Sequence, residues 1–275
     1  MKLISLNLWG GIVGQPLFDW LQKKSIDTDI FCFQEVFDAP NPPAKTGKKH
    51  EHYQLKSQLE KLLPDFTLVF REHVYNFDMS GNVDFTLKYG LAIAIKNTKL
   101  DNILDEGDTM IFGSKRMGFT MDRPTDRNLQ YLRLKINDKI LNILNYHGIW
   151  IKDAGKLDNE FRLQQSSKII KFVQELDGET ILVGDFNLEP KTKSIQMLED
   201  IGLEDLIKSN NITSTRSHFY ENIKEIKVGD QIIKNDGSKF ADYALISSGV
   251  KANNFEVPAV EISDHLPSIL DFDLK

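Results

Sequence analysis

Asn7, Glu35, His147, Asp185, Asn187, Asp242 and the pair Asp264-His265 each stand at or beside the end of an apolar run that reads as a strand. Carboxylates hold hard cations and orient water, carboxamides fix oxygens in place, and imidazoles carry protons near neutral pH. Each residue also has an ordinary explanation. Asn7 can bridge a backbone gap, Glu35 can cap the loop behind it, and His147 before Gly148 can be a satisfied turn histidine. Asp242 can hold the neighbouring Lys239, and Ser263-Asp264 reads as a turn or helix cap. Asp185 and Asn187 start a turn into Pro190 equally well. The combination tips the balance, because strand ends in layered α/β domains share one edge, and ligands bind there.

The elements that must position these residues follow from periodicity. Thr180-Ile181-Leu182-Val183 reads as a buried strand closed by Gly184. On an extended backbone, side chains two apart point the same way, so Asp185 and Asn187 are expected to face one cleft with Phe186 packed behind them. Strands are predicted at 2–9, 29–35, 66–71, 91–96, 239–247 and 266–274, and a hairpin at 129–136 and 140–146 turns at Asn137-Asp138. Helices are predicted after Pro16, over Leu55 to Leu63 ahead of Pro64, near 194–198, and over 159–176 with Phe161, Ile169, Ile170, Phe172 and Val173 inward. Residues 38–49, 73–90 and 105–127 read as irregular, and loops of that length usually rim a functional site. Strands this closely spaced do not suit a purely parallel sheet, so one mixed α/β layered domain over residues 1–275 is expected.

Composition bounds the partners. The 275 residues are 41% hydrophobic and can bury a substantial core. The net charge is -6 and the pI near 5.6, which argues against holding long duplex DNA on a basic face. Local basic clusters stand at 45–49 and in Arg116, Arg123 and Arg127. The single cysteine, Cys32, lies between Phe31 and Phe33 and reads as an inert core residue. With no signal-peptide core and no membrane-length apolar run, the expectation is a cytoplasmic monomer without a transmembrane segment.

The polar strand ends fall into motifs that occur in order: Leu6-Asn7, Phe33-Gln34-Glu35, Asn145-Tyr146-His147, Gly184-Asp185-Phe186-Asn187, Ala241-Asp242-Tyr243 and Ser263-Asp264-His265. The series resembles the endonuclease/exonuclease/phosphatase superfamily, whose members include DNase I, apurinic endonucleases, neutral sphingomyelinases and inositol phosphate phosphatases. The resemblance implies a four-layer αββα sandwich of two mixed sheets flanked by helices. Two departures bear on the branch. Apurinic endonucleases carry an aspartate two positions after the first asparagine, where this chain has Trp9, and a tyrosine where it has His147. The histidine is shared with the DNase-like and sphingomyelinase-like branches.

A phosphate ester needs positive charge on its phosphoryl oxygens, an activated water and help for the leaving group. Mg²⁺, with Mn²⁺ as a substitute, suits oxygen ligands, and the resemblance makes Glu35 its primary ligand with Asn7 and Asp264 beside it. Asp185 is the candidate to orient or deprotonate the water, with Asn187 holding an oxygen. Either Asp185 or the His265-Asp242 pair is described as base in this family, and His147 stabilises charge or protonates the leaving oxygen. Arg127, Asn128 and Arg216 are candidate substrate contacts, alongside the basic stretch 115–127 with Phe119. The expected activity is hydrolysis of a phosphodiester, nuclease-type first, on a short or single-stranded nucleic acid. A lipid-headgroup or small-molecule phosphoesterase is the alternative, for which Met110-Ile111-Phe112 would supply an apolar loop tip, and a non-catalytic binding domain comes last.

Overall fold

The computed structural model describes residues 1–43, 51–78, 80–114, 124–151, 155–228, 231–235 and 237–275. The strands are β1 (Lys2–Asn7), β2 (Ile30–Asp38), β3 (Phe66–Tyr75), β4 (Phe77–Asp78), β5 (Gly81–Asn82), β6 (Lys88–Lys96), β7 (Ile103–Phe112) and β8 (Arg127–Ile136). They continue as β9 (Lys139–His147), β10 (Glu179–Asp185), β11 (Glu204–Asp205), β12 (Glu225–Val228), β13 (Gln231–Lys234), β14 (Asp242–Ile246), β15 (Val250–Glu256) and β16 (Ser268–Leu274). The helices are α1 (Gln15–Ser25), α2 (Leu55–Leu62), α3 (Glu160–Glu175), α4 (Lys193–Asp200), α5 (Leu206–Ser209) and α6 (His218–Asn222).

Two six-stranded mixed sheets face each other, ordered β15-β16-β1-β2-β6-β3 and β11-β14-β10-β9-β8-β7. In each, a parallel pair, β1 with β2 or β9 with β10, lies among antiparallel neighbours. Alternation along the strands divides the core. Leu3, Ile30 and Cys32 point between the sheets toward Leu129, Ile143 and Ile181. Ile4, Leu6, Phe31 and Phe33 point the other way, onto Leu17, Phe18 and Leu21 of α1 and Leu55 and Leu59 of α2. Helices α3 and α4 cover the outer side of the second sheet, where Gln165 Oε1 accepts from the Tyr146 hydroxyl at 3.0 Å. The result is the expected four-layer sandwich. No helix among the described residues is long and apolar enough to cross a membrane.

Three local expectations are corrected. Ile103–Phe112 is strand β7, paired along β8, where the sequence reads as irregular. Its acidic residues suit an edge strand, and Glu106 and Asp108 meet Arg71 of β3 in the facing sheet. Met110-Ile111-Phe112 therefore ends a strand, with Ile111 buried, and forms no apolar tip. In α3, Phe161 is 41% exposed, while Arg162 is buried and donates to the carbonyls of Gly155 and Leu157. The inward stripe runs Arg162, Gln165, Ser166, Ile169, so a buried arginine took the place that hydropathy gave to the phenylalanine.

A polar tie crosses the core below the strand ends. Gln34 Nε2 donates to Asn145 Oδ1 at 2.7 Å, and Asn145 Nδ2 donates to the Phe33 carbonyl at 3.0 Å and Gln130 Oε1 at 3.2 Å. Both Gln34 and Asn145 are fully buried, and the amides of both are spent on ties between the sheets, although Gln34 Oε1 has no hydrogen-bond partner among the described residues. Asn145→Ala strands several of these groups and is expected to cost about 2–3 kcal/mol. A urea unfolding series measures it, and a loss below about 1 kcal/mol would remove the tie from the account of stability.

Candidate active site

The carboxyl ends of both parallel pairs meet at one pole. Asn7 ends β1, Glu35 lies near the end of β2, His147 ends β9 and Asp185 ends β10. Strand β14 runs antiparallel to β10, so its first residue, Asp242, arrives opposite Asp185, which also stands opposite His147. Gly184 makes this possible: at φ 137°, a Cβ there would stand 1.9 Å from the Tyr146 carbonyl oxygen.

The backbone at this pole is bent. Trp9, Glu35 and Asn187 take φ of 49°, 59° and 52°, a region that side-chain-bearing residues seldom occupy. A bulge in β2 between Phe33 and Val36 carries Glu35 into the cleft. Asn187 likewise reaches the pocket through a left-handed turn, not through extended alternation with Asp185. Its N–H donates to Asp185 Oδ1 at 2.9 Å and its Nδ2 to the Gly148 carbonyl at 3.3 Å. Phe186 does pack behind, edge-on to Tyr146 and Tyr243.

Asp185 is the hub. Its Oδ2 accepts from Asn7 Nδ2 at 3.0 Å and lies 3.5 Å from Nε2 of both His147 and His265. Burial opposes its ionisation, but the positive charges of His265, Arg216 and Lys156 hold its carboxyl well below the usual range. Nδ1 of His265 faces Asp242 at 2.8 Å. Burial and Arg216 push the His265 pKa down, whereas Asp242, Asp264 and Asp185 outweigh them and raise it. His147 behaves oppositely. Burial, reinforced by Arg127, lowers its pKa to about 3, leaving a neutral ring. Nδ1 of His147 is buried without a hydrogen-bond partner among the described residues, so the proton belongs on Nε2, facing Asp185 and, at 3.9 Å, Glu35.

Glu35 is the least compensated of these groups. Its Oε2 is buried with no hydrogen-bond partner among the described residues, and burial, aggravated by Asp264, pushes its pKa up to about 7. A buried carboxylate oxygen without a hydrogen-bond partner fits a hard divalent cation. Glu35, His147 and Asp185 also bring one potential ligand atom each within 4.8 Å of one another. Asn7 and Asp264, expected beside the cation, are already engaged. Asn7 Oδ1 accepts from the Trp9 N–H at 2.9 Å, and Asp264 Oδ2 accepts from Arg216 Nη1 at 3.3 Å.

A pocket of about 400 Å³ opens on this centre, lined by Glu35, Arg127, His147, Asp185, Asn187, Arg216, Asp264 and His265. Asn7 supports it from behind. Asp242 does likewise through His265. Arg216 is buried against His265 and over the Tyr220 ring at 4.1 Å. Asn128 is corrected: its side chain is fully buried and bonded to His73 Nδ1 at 2.8 Å and Asp108 at 3.1 Å, so it braces the wall without reaching the pocket. The basic residues at 45–49 and Lys115, Arg116, Phe119 and Arg123 lie outside the described residues. Lys156 was not legible in the sequence. It lines the pocket, 5.2 Å from the centre of the Tyr220 ring, and donates to the Phe240 carbonyl. A lone lysine in a loop carries no pattern that would single it out.

The model of the Endonuclease/Exonuclease/phosphatase family matches residues 4–265. The fold is similar to an endonuclease/exonuclease/phosphatase from Bacteroides vulgatus, 17% identical, covering 100% of this chain and 98% of that one with a TM-score of 0.67. A mannosyl-6-phosphatase from Bacteroides thetaiotaomicron is 18% identical, with full coverage of both chains and a TM-score of 0.63. D. rerio TDP2 complexed with a single-strand DNA product is 14% identical, covering 99% of this chain and 98% of that one with a TM-score of 0.63. At these identities the likeness is one of fold. No curated protein matches the sequence.

Proposed function

The chain belongs to the Endonuclease/Exonuclease/phosphatase family, and on that premise we propose that it is a divalent-metal-dependent phosphoesterase of the nuclease type. It hydrolyses a phosphodiester by in-line attack of water, without a covalent enzyme intermediate. The observation that carries this reading is Asp185 Oδ2, held by Asn7 between the Nε2 atoms of His147 and His265. A divalent cation at Glu35, with Asn7 and Asp264 beside it, would offset charge on the phosphoryl oxygens, and Mg²⁺ or Mn²⁺ suits such donors.

The surroundings divide the acid–base work. Asp185, kept ionised, orients the water and takes its proton, while the Asn187 carboxamide holds a phosphoryl oxygen. His265, whose protonation three carboxylates favour, stabilises in its cationic form the charge that builds on the phosphoryl group. Arg127 and Arg216 add fixed positive charge at the same pocket. His147, kept neutral, donates a hydrogen bond to the departing oxygen. This assigns the role of base to Asp185 and leaves His265 as the cation.

Single-stranded oligonucleotides are the first substrates to try, since the overall charge disfavours long duplexes and the TDP2 complex holds a single-strand product. The test is a screen of oligonucleotides, plasmid, RNA, sphingomyelin and phosphoinositides with Mg²⁺ and after exhaustive chelation. Turnover of a diester that stops on chelation and returns with Mg²⁺ is expected, and turnover that survives chelation would overturn the proposal. Asp185→Asn should cut kcat by about 10²–10⁴.

A further inference from the structure

We infer that the site selects a diester bearing one flat aromatic group, a nucleobase in the proposed substrate, and that Trp9 is the residue on which it stacks. This rests on the phosphodiesterase reading and adds the chemistry of the group next to the phosphate. One side of the pocket is the polar pole already described. The rest of its lining includes Trp9, Phe77, Trp150, Tyr220 and Ile223.

Packing does not account for the two tryptophans, since neither Trp9 nor Trp150 joins the hydrophobic clusters that form the core. Trp9 is half-buried, its ring tilted against Phe219 at 6.3 Å. Its φ of 49° is a conformation a bulky residue avoids, and Gly10 and Gly11 follow directly. The strain is held by the Trp9 N–H bond to Asn7 Oδ1, so the residue that steadies Asp185 also fixes the indole at the pocket. The Tyr220 ring, in contrast, faces the Arg216 and Lys156 cations. A volume of about 400 Å³ is near the low end for small-molecule sites, room for a phosphate and one ring system. Thr125, Lys156 and Glu225 also line the pocket, but most of the wall is hydrocarbon, which suits a flat ring better than the hydroxyls of a sugar.

The experiment compares a dithymidine phosphodiester with the same diester carrying hydrogen in place of both bases, for the wild type, Trp9→Ala and Trp9→Phe. Aromatic stacking predicts that Trp9→Ala raises KM for the base-bearing diester roughly tenfold more than for the base-free one, and that Trp9→Phe restores most of the difference. Equal changes on both diesters, or none, would overturn the inference. Binding is read separately, by isothermal titration calorimetry with thymidine monophosphate and with ribose 5-phosphate. Stronger binding of the nucleotide in the wild type, lost in Trp9→Ala, supports the stacking role even if neither diester is turned over, a result that would count against the phosphodiesterase reading alone. Equal binding of the two phosphates, or preferred binding of the sugar phosphate, refutes it.

Discussion

Glu35→Gln is expected to lower diester turnover by on the order of 10³ or more while leaving the metal-free protein at least as stable as the wild type. The two effects have one cause. Glu35 is half-buried, its buried Oε2 has no hydrogen-bond partner among the described residues, and its neighbours Asp264 and Asp185 repel its charge. A carboxylate so placed destabilises the metal-free fold, and a neutral carboxamide of the same shape removes that cost. Turnover falls because the amide supplies no negative charge for a cation. Linkage gives a second readout that does not depend on activity. A cation at 100 times its Kd adds about 2.7 kcal/mol of stability, on the order of 5–10 °C in Tm for a chain of this size. Thermal unfolding with and without Mg²⁺ should show that rise in the wild type and little of it in Glu35→Gln. An equal rise in both proteins would place the cation elsewhere.

The sequence made the site more legible than the backbone that shapes it. Asn7, Glu35, His147 and Asp185 could be read because each closes an apolar run and parallel strands must deliver their carboxyl ends to one edge, and Asp242 and His265 because they stand just before the apolar runs of antiparallel strands. What could not be read was how the chain turns there. The bulge at Glu35 and the left-handed Asn187 depend on pairing and hydrogen bonds with distant strands, and residue type alone does not announce them. Strand β7 stayed hidden because an edge strand with acidic residues looks like a loop until its partner is known. Arg127 and Asn128 are adjacent and both meet His73, yet only Arg127 lines the pocket, a difference that residue type does not announce.

Removing His265 should have the other large effect. His265→Ala is expected to lower kcat by about 10³, Asp242→Asn by about 10–100-fold, and the double variant by no more than His265→Ala alone. Asp242 reaches the pocket only through the imidazole, whose Nδ1 it meets at 2.8 Å, so it has nothing to orient once the ring is gone. The sign of the pH effect follows from the same contact. Asp242 is among the carboxylates that raise the His265 pKa against burial and Arg216. Without its charge the folded-state pKa falls, the cation is lost at a lower pH, and the alkaline limb of kcat/KM should move toward acid. Asp185→Asn removes another carboxylate that raises the His265 pKa, so in whatever activity it keeps the alkaline limb should move toward acid as well. If Asp242→Asn and His265→Ala instead multiply in the double variant, the carboxylate acts on the substrate by its own route. If the alkaline limb stays in place in Asp242→Asn, His265 is not the cation, and the proton from water has the imidazole as its destination.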